Sequence, residues 1–246
     1  MSDTDIKLDK YREVLHSSKL FSELKECLDK FRIVKIRCLA LGSFSEEFPA
    51  KYQLSLLLEI LDCIGTNVKV SIYDPAFNDK DEKYIAHKHW QIVETEEHVD
   101  STDGVTLFYM PHAPLDLTEE VIKREKPQLI LGNELSQHTD RYTERQLYEK
   151  YPVLSKLVYN SKHYNRVSIS EDDKDGFVKQ ESRKSRRRKN KWCLNGSSID
   201  YSSVESYFND GVNLITNFRS ADIDAIKEGQ EQWNHSFSDL ALFEIK

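Results

Sequence analysis

Short polar tips, each following an apolar run, carry the residue types that could do chemistry in this chain. Gly42-Ser43-Phe44-Ser45 joins a glycine to two hydroxyls. Ahead of a helix, such a turn lets backbone N–H groups and Ser43 and Ser45 approach an anion; a plain strand-to-helix turn with Ser43 as the helix cap is the alternative. Asp74, in Tyr73-Asp74-Pro75, stands where nucleotide-binding folds place an acid on a ribose at the end of the second strand. An Asp-Pro turn explains it equally well. His112, held in Met110-Pro111-His112-Ala113-Pro114, is a candidate catalytic acid or base at neutral pH, or a ligand; the alternative is a structural hydrogen-bonding imidazole. Gly132-Asn133 pairs a turn-forming residue with a hydrogen-bonding amide.

Other groups carry weaker signals. His87 and His89 share a side only if extended, which argues against a metal pair. Asp172, Asp173 and Asp175 before Gly176 lack the ligand alternation and closing glutamate of a calcium loop. The four cysteines Cys27, Cys38, Cys63 and Cys193 form no C-x-x-C pair, so neither a zinc ribbon nor a disulfide framework is expected. No metal site is predicted. G-x-G-x-x-G and G-x-S-x-G are both absent.

The tips imply the elements that position them. Phe21, Leu24, Leu28 and Phe31 share one helical face, which predicts an N-terminal helix within residues 10–31. IVKIRCLALG (Ile33–Gly42) is the first strand, and Ser43 with Glu46 has the capping-box spacing ahead of a helix faced by Leu54, Leu57, Leu58, Leu61 and Ile64. VKVSIYD (Val68–Asp74) follows, then a polar helix near Asp79–Lys88 and a short candidate strand, WQIVE. VTLFYMPH (Val105–His112) precedes a second capping-box spacing, Asp116 with Glu119, and PQLILGN (Pro127–Asn133) precedes a charged helix near Arg141–Lys150. Strands alternating with helices predict an α/β fold: a doubly wound, mostly parallel Rossmann-like sheet with helices on both faces. GVNLITNF and SDLALFEI are expected to complete its edge. The organisation predicted is a helical arm over 1–32, a core over 33–160, a polar flexible insertion over 161–200 and closing strands over 201–246. In an open sheet of this kind the strand tips converge on one rim, the expected ligand crevice.

Bulk properties narrow the role. A net charge of −7 excludes whole-protein affinity for nucleic acid or anionic membrane. The acidic N-terminus and the lack of a long apolar run predict a cytosolic or nuclear protein with no membrane partner. RKSRRRKNK (Arg183–Lys191) is the local exception, a candidate import signal or docking patch for acidic partners, nucleic acid included, or simply a solvated charge run.

CLALGSFSEEFPAKYQLSLLLEIL, VSIYDPAF, VTLFYMPHAPLDL and LILGNEL, in this order and spacing, resemble the Sensitivity to Red Light Reduced family, and SFSDLALFEI resembles its closing strand. The resemblance implies an intracellular regulatory protein with a protein partner. Members are linked to circadian and light signalling, to haem metabolism and, in fungi, to microtubule-related processes, the last being the setting expected for this fungal-type version. The family commonly has cysteine after Pro-His, where this chain has Ala113. That departure removes a thiolate ligand and weighs against haem, although His112 is a residue type that ligates iron. The alternative to a non-enzymatic regulator is a nucleotide- or S-adenosylmethionine-binding enzyme using the strand-end rim.

Overall fold

The computed structural model describes residues 3–65, 67–96, 103–161, 199–209, 211–218 and 231–246. The chain opens with two helices, α1 (Asp3–His16) and α2 (Lys19–Leu28), where the apolar spacing predicted one. Ser18 makes the break: its hydroxyl accepts from the Phe21 N–H and caps α2, which satisfies a donor that a continuous helix would have used internally. Leu8, Leu15, Leu20, Leu24 and Leu28 are buried, so this pair of helices joins the main core.

The strands β1 (Ile33–Leu39), β2 (Lys69–Tyr73), β3 (Gln91–Ile92), β4 (Val105–Met110), β5 (Leu129–Asn133), β6 (Val212–Asn217) and β7 (Leu240–Ile245) form one sheet in the order β3-β2-β1-β4-β5-β7-β6. The β1–β2, β2–β3, β1–β4 and β4–β5 pairs are parallel, whereas β7 runs antiparallel to both neighbours. GVNLITNF and SDLALFEI do complete the edge, and the short strand in WQIVE lies at the opposite one. Strand order reverses between β1 and β4, the point at which an open sheet parts its loops and leaves a crevice.

Both faces are covered, which is why the central strands are mostly apolar. Against one face lie α1, α2, α3 (Phe48–Ile64), α4 (Asp79–His87) and a late helix that, after the run over 152–161 is taken as α8, is α9 (Glu231–Ser236). Against the other lie α5 (Leu115–Arg124), α6 (Leu135–Thr139), α7 (Glu144–Lys150) and α8. Successive β4 side chains divide between the faces, Leu107 and Tyr109 to the first and Phe108 and Met110 to the second.

Neither capping box expected at residues 43–46 and 116–119 forms. α3 begins at Phe48 behind Glu47, with Pro49 in its first turn, because Ser43 takes part in a separate turn in which its carbonyl accepts from Glu46 and Glu47. α5 begins directly after Pro114, and the Glu119 carboxylate accepts instead from the Val153 and Leu154 N–H groups at the start of α8. A capping carboxylate thus acts between helices. The insertion with its basic run Arg183–Lys191, the aspartates 172–175 and Cys193 lies outside the described residues.

Candidate functional site

β1 ends in a backbone turn that strains against side chains. Ala40 and Gly42 have φ values of 55° and 77°, in the left-handed region that disfavours any residue with a Cβ. At Gly42 a Cβ would also come within 3.1 Å of Glu47 Oε2. The turn aims the Gly42 N–H at Asp74 on the neighbouring tip, with N···Oδ2 2.8 Å. Asp74 Oδ1 accepts from the Ala76 N–H at 2.8 Å, closing the Asp-Pro turn. One carboxylate therefore locks the β1 and β2 tips together.

A cavity of about 670 Å³ opens over these tips, lined by Leu39–Gly42, Tyr73–Pro75 and His112 at the strand ends, by Glu47 and Gln53 on the α3 side, and by Glu120, Arg124 and Glu125 of α5 and its end. Glu94 and Thr95, beyond β3, close one side. Gly42, Asp74 and His112 thus share one space. Ser43 and Ser45 are elsewhere: Ser43 Oγ donates to Asp81 Oδ2 at 2.7 Å, the Ser45 N–H donates to Asp81 Oδ1 at 2.9 Å, and Asn78 Nδ2 donates to both hydroxyls. Asn78 and Asp81 form the capping box of α4, so these serines pin the loop to that helix.

Pro111, Gly132 and Asn133 do not line the cavity. A Cβ on Gly132 would lie 2.9 Å from the Met110 carbonyl oxygen, so close pairing of β4 and β5 accounts for this glycine. Asn133 Nδ2 donates to the Ala113 carbonyl at 3.1 Å and lies 3.4 Å from His138 Nδ1, joining the β4 and β5 tips. Ala113 is buried in the apolar layer beneath α5.

His112 remains partly open to solvent. Desolvation of its ring pulls the imidazole pKa below its ordinary 6.5, against the opposing pull of Asp239 and Glu47. The neutral ring that results at pH 7 is able to accept a proton.

Sequence patterns did not single out Arg37, Glu47, Gln53, Glu94 or Glu125. Arg37 is fully buried in β1; its Nε donates to Glu125 Oε2 at 2.9 Å, and its terminal nitrogens donate to the Val93 and Glu94 carbonyls at 2.7 and 2.9 Å. This clasp holds the loop after β3 and the end of α5 in place around the cavity. A lone arginine within the apolar run IVKIRCLALG was the available signal. Gln53, likewise a polar residue within an apolar helix, is wholly buried; its Nε2 donates to the Ser236 carbonyl at 3.2 Å, whereas its Oε1 has no hydrogen-bond partner among the described residues.

No described helix is long and apolar enough to cross a membrane. Comparison of the chain with curated proteins and with solved structures returned no match. The family comparison did: the model of the SRR1 domain matches residues 18–244, nearly the whole chain, so the protein belongs to the SRR1, or Sensitivity to Red Light Reduced-like, family.

Proposed function

We propose that the protein is a regulator that responds to a small nucleoside-type ligand, a nucleotide or S-adenosylmethionine, held at its strand-end rim. Family membership supports the regulatory role. The single observation that carries the ligand reading is the cavity of about 670 Å³ at the reversal of strand order. Its size falls within the range of small-molecule sites, and its position is where open α/β sheets bind their ligands. Asp74, directly after β2, is the group for ribose hydroxyls or an amine, and the Ala40–Gly42 turn brings backbone close enough for a ligand to lie against it.

The strand order, with a reversed strand set between β5 and β6, is also the order of S-adenosylmethionine-dependent methyltransferases; this is an analogy of topology, which bears on fold more than on chemistry. A catalytic form, in which bound ligand is turned over with His112 as proton acceptor, is the second reading, favoured by the neutral imidazole at the cavity. The cellular setting, microtubule-related processes in a fungal cell acting through a protein partner, rests on the family resemblance.

A thermal-shift screen with nucleotides, S-adenosylmethionine and haem tests the proposal. A ligand at a hundred times its dissociation constant adds about 2.7 kcal/mol of stability. Stabilisation by a nucleoside-type ligand, lost in Asp74→Ala, is the expected result. The absence of any shift would leave the protein-docking regulator without a ligand.

A further inference from the structure

The ligand cavity has an electrostatic character that separates the two ligand classes named for it. Five carboxylates line it, those of Glu47, Asp74, Glu94, Glu120 and Glu125, against the single guanidinium of Arg124. Two of them are already compensated: Glu125 by the buried Arg37 at 2.9 Å and Glu120 by Arg124 at 2.8 Å. Glu47, Asp74 and Glu94 have no cationic partner among the described residues. A phosphate chain entering this space meets three unpaired negative charges, against the one guanidinium of the wall, Arg124, in its exposed pair with Glu120.

The α3 wall holds an unpaired acceptor. Gln53 is wholly buried, lines the cavity, and keeps Oε1 without a partner among the described residues. A buried acceptor left unsatisfied is costly, and a ligand N–H would remove that cost.

Building on the reading of this cavity as a nucleoside-type ligand site, we infer that it selects a cationic ligand, a sulfonium or ammonium nucleoside such as S-adenosylmethionine, over phosphorylated nucleotides. Glu47, Asp74 and Glu94 supply the field, and Gln53, whose Oε1 is shielded from solvent, turns that oxygen to an N–H of the ligand on binding. S-Adenosylhomocysteine, the uncharged thioether of nearly the same shape, isolates the contribution of the positive charge.

Isothermal titration of the full chain with S-adenosylmethionine, S-adenosylhomocysteine and ADP at low and high salt tests this. S-Adenosylmethionine should bind on the order of tenfold more tightly than the thioether, a ratio equivalent to about 1.4 kcal/mol, and ADP should bind most weakly. The preference should shrink in high salt, because the three carboxylates are reached by solvent and ions. Glu47→Gln with Glu94→Gln should bring the two adenosyl compounds to near-equal affinity. Gln53→Met, with Oε1 replaced at similar volume and folding checked by its melting temperature, should weaken both by a similar factor.

Equal or tighter binding of the thioether or ADP at this cavity would overturn charge selection while leaving the ligand site standing. Absence of binding by all three would overturn the site itself and charge selection with it.

Discussion

At the scale of residues, strain and charge concentrate at the β1 and β4 tips. Ala40 holds a φ of 55°, which costs an L-residue roughly 1–2 kcal/mol that glycine escapes. Ala40→Gly, normally destabilising in a strand or helix, is therefore expected to raise stability here by about 0.5–1 kcal/mol, after the entropic cost of glycine is allowed for. Urea denaturation checks it, and a loss of stability would mean that the turn relaxes in solution.

His112 gives a second test. Its folded-state pKa lies below the ordinary 6.5, as does that of His138; burial is the main cause in both, with Asp239 and Glu47 facing the first and Asp239 and Arg141 facing the second. The unfolded chain then binds more protons than the folded one as pH falls through 6.5. Stability should accordingly be full above that pH and fall below it, down to the depressed folded values. Melting temperatures measured from pH 7.5 to 5 should drop less in His112→Asn and His138→Asn than in the parent chain. Identical slopes would show that the rings titrate as they do in water.

At the scale of elements, the cavity is shaped by one buried ion pair. Arg37 in β1 and Glu125 at the end of α5 are both buried, and Arg37 also holds the carbonyls of Val93 and Glu94. Glu125→Ala leaves an uncompensated buried guanidinium and should cost roughly 3–5 kcal/mol. Replacing both partners by apolar residues, Arg37→Met with Glu125→Leu, should cost less than that single change. Denaturation of the three variants decides between this and an additive pair, in which the double variant is the worst.

Elements differ in how far local sequence determines them. The strands were legible because apolar runs ending in glycine or proline are local signals, and Leu107 through Met110 are buried on both faces as such a run predicts. Ser43 with Glu46 and Asp116 with Glu119 had the right spacing for caps, but a turn at Ser43 and the demand of α8 for a capping carboxylate claimed them. Ser17-Ser18 broke a helix whose apolar spacing ran on without interruption. Those outcomes depend on neighbours distant in the chain, which spacing does not encode. Gly42, Asp74 and His112 were found by position at strand ends, whereas the roles of Gln53, Glu94 and Arg37 depend on partners that only the packing of the elements brings near.

At the scale of the whole molecule, a doubly wound sheet, covered on both faces, parts at the β1–β4 reversal and sets a cavity there. The SRR1 domain match extends across that entire sheet, from the start of α2 through β7. The cavity is thus a feature of the domain itself rather than of an appended segment. What that cavity does depends first on whether it holds a ligand. The most direct measurement is a crystal structure of the full chain grown with S-adenosylmethionine. The predicted result is ligand density over the strand ends, with the ribose or an amine at Asp74 and an N–H at Gln53 Oε1. Density only on the outer surface, or an empty cavity at saturating ligand, would contradict it.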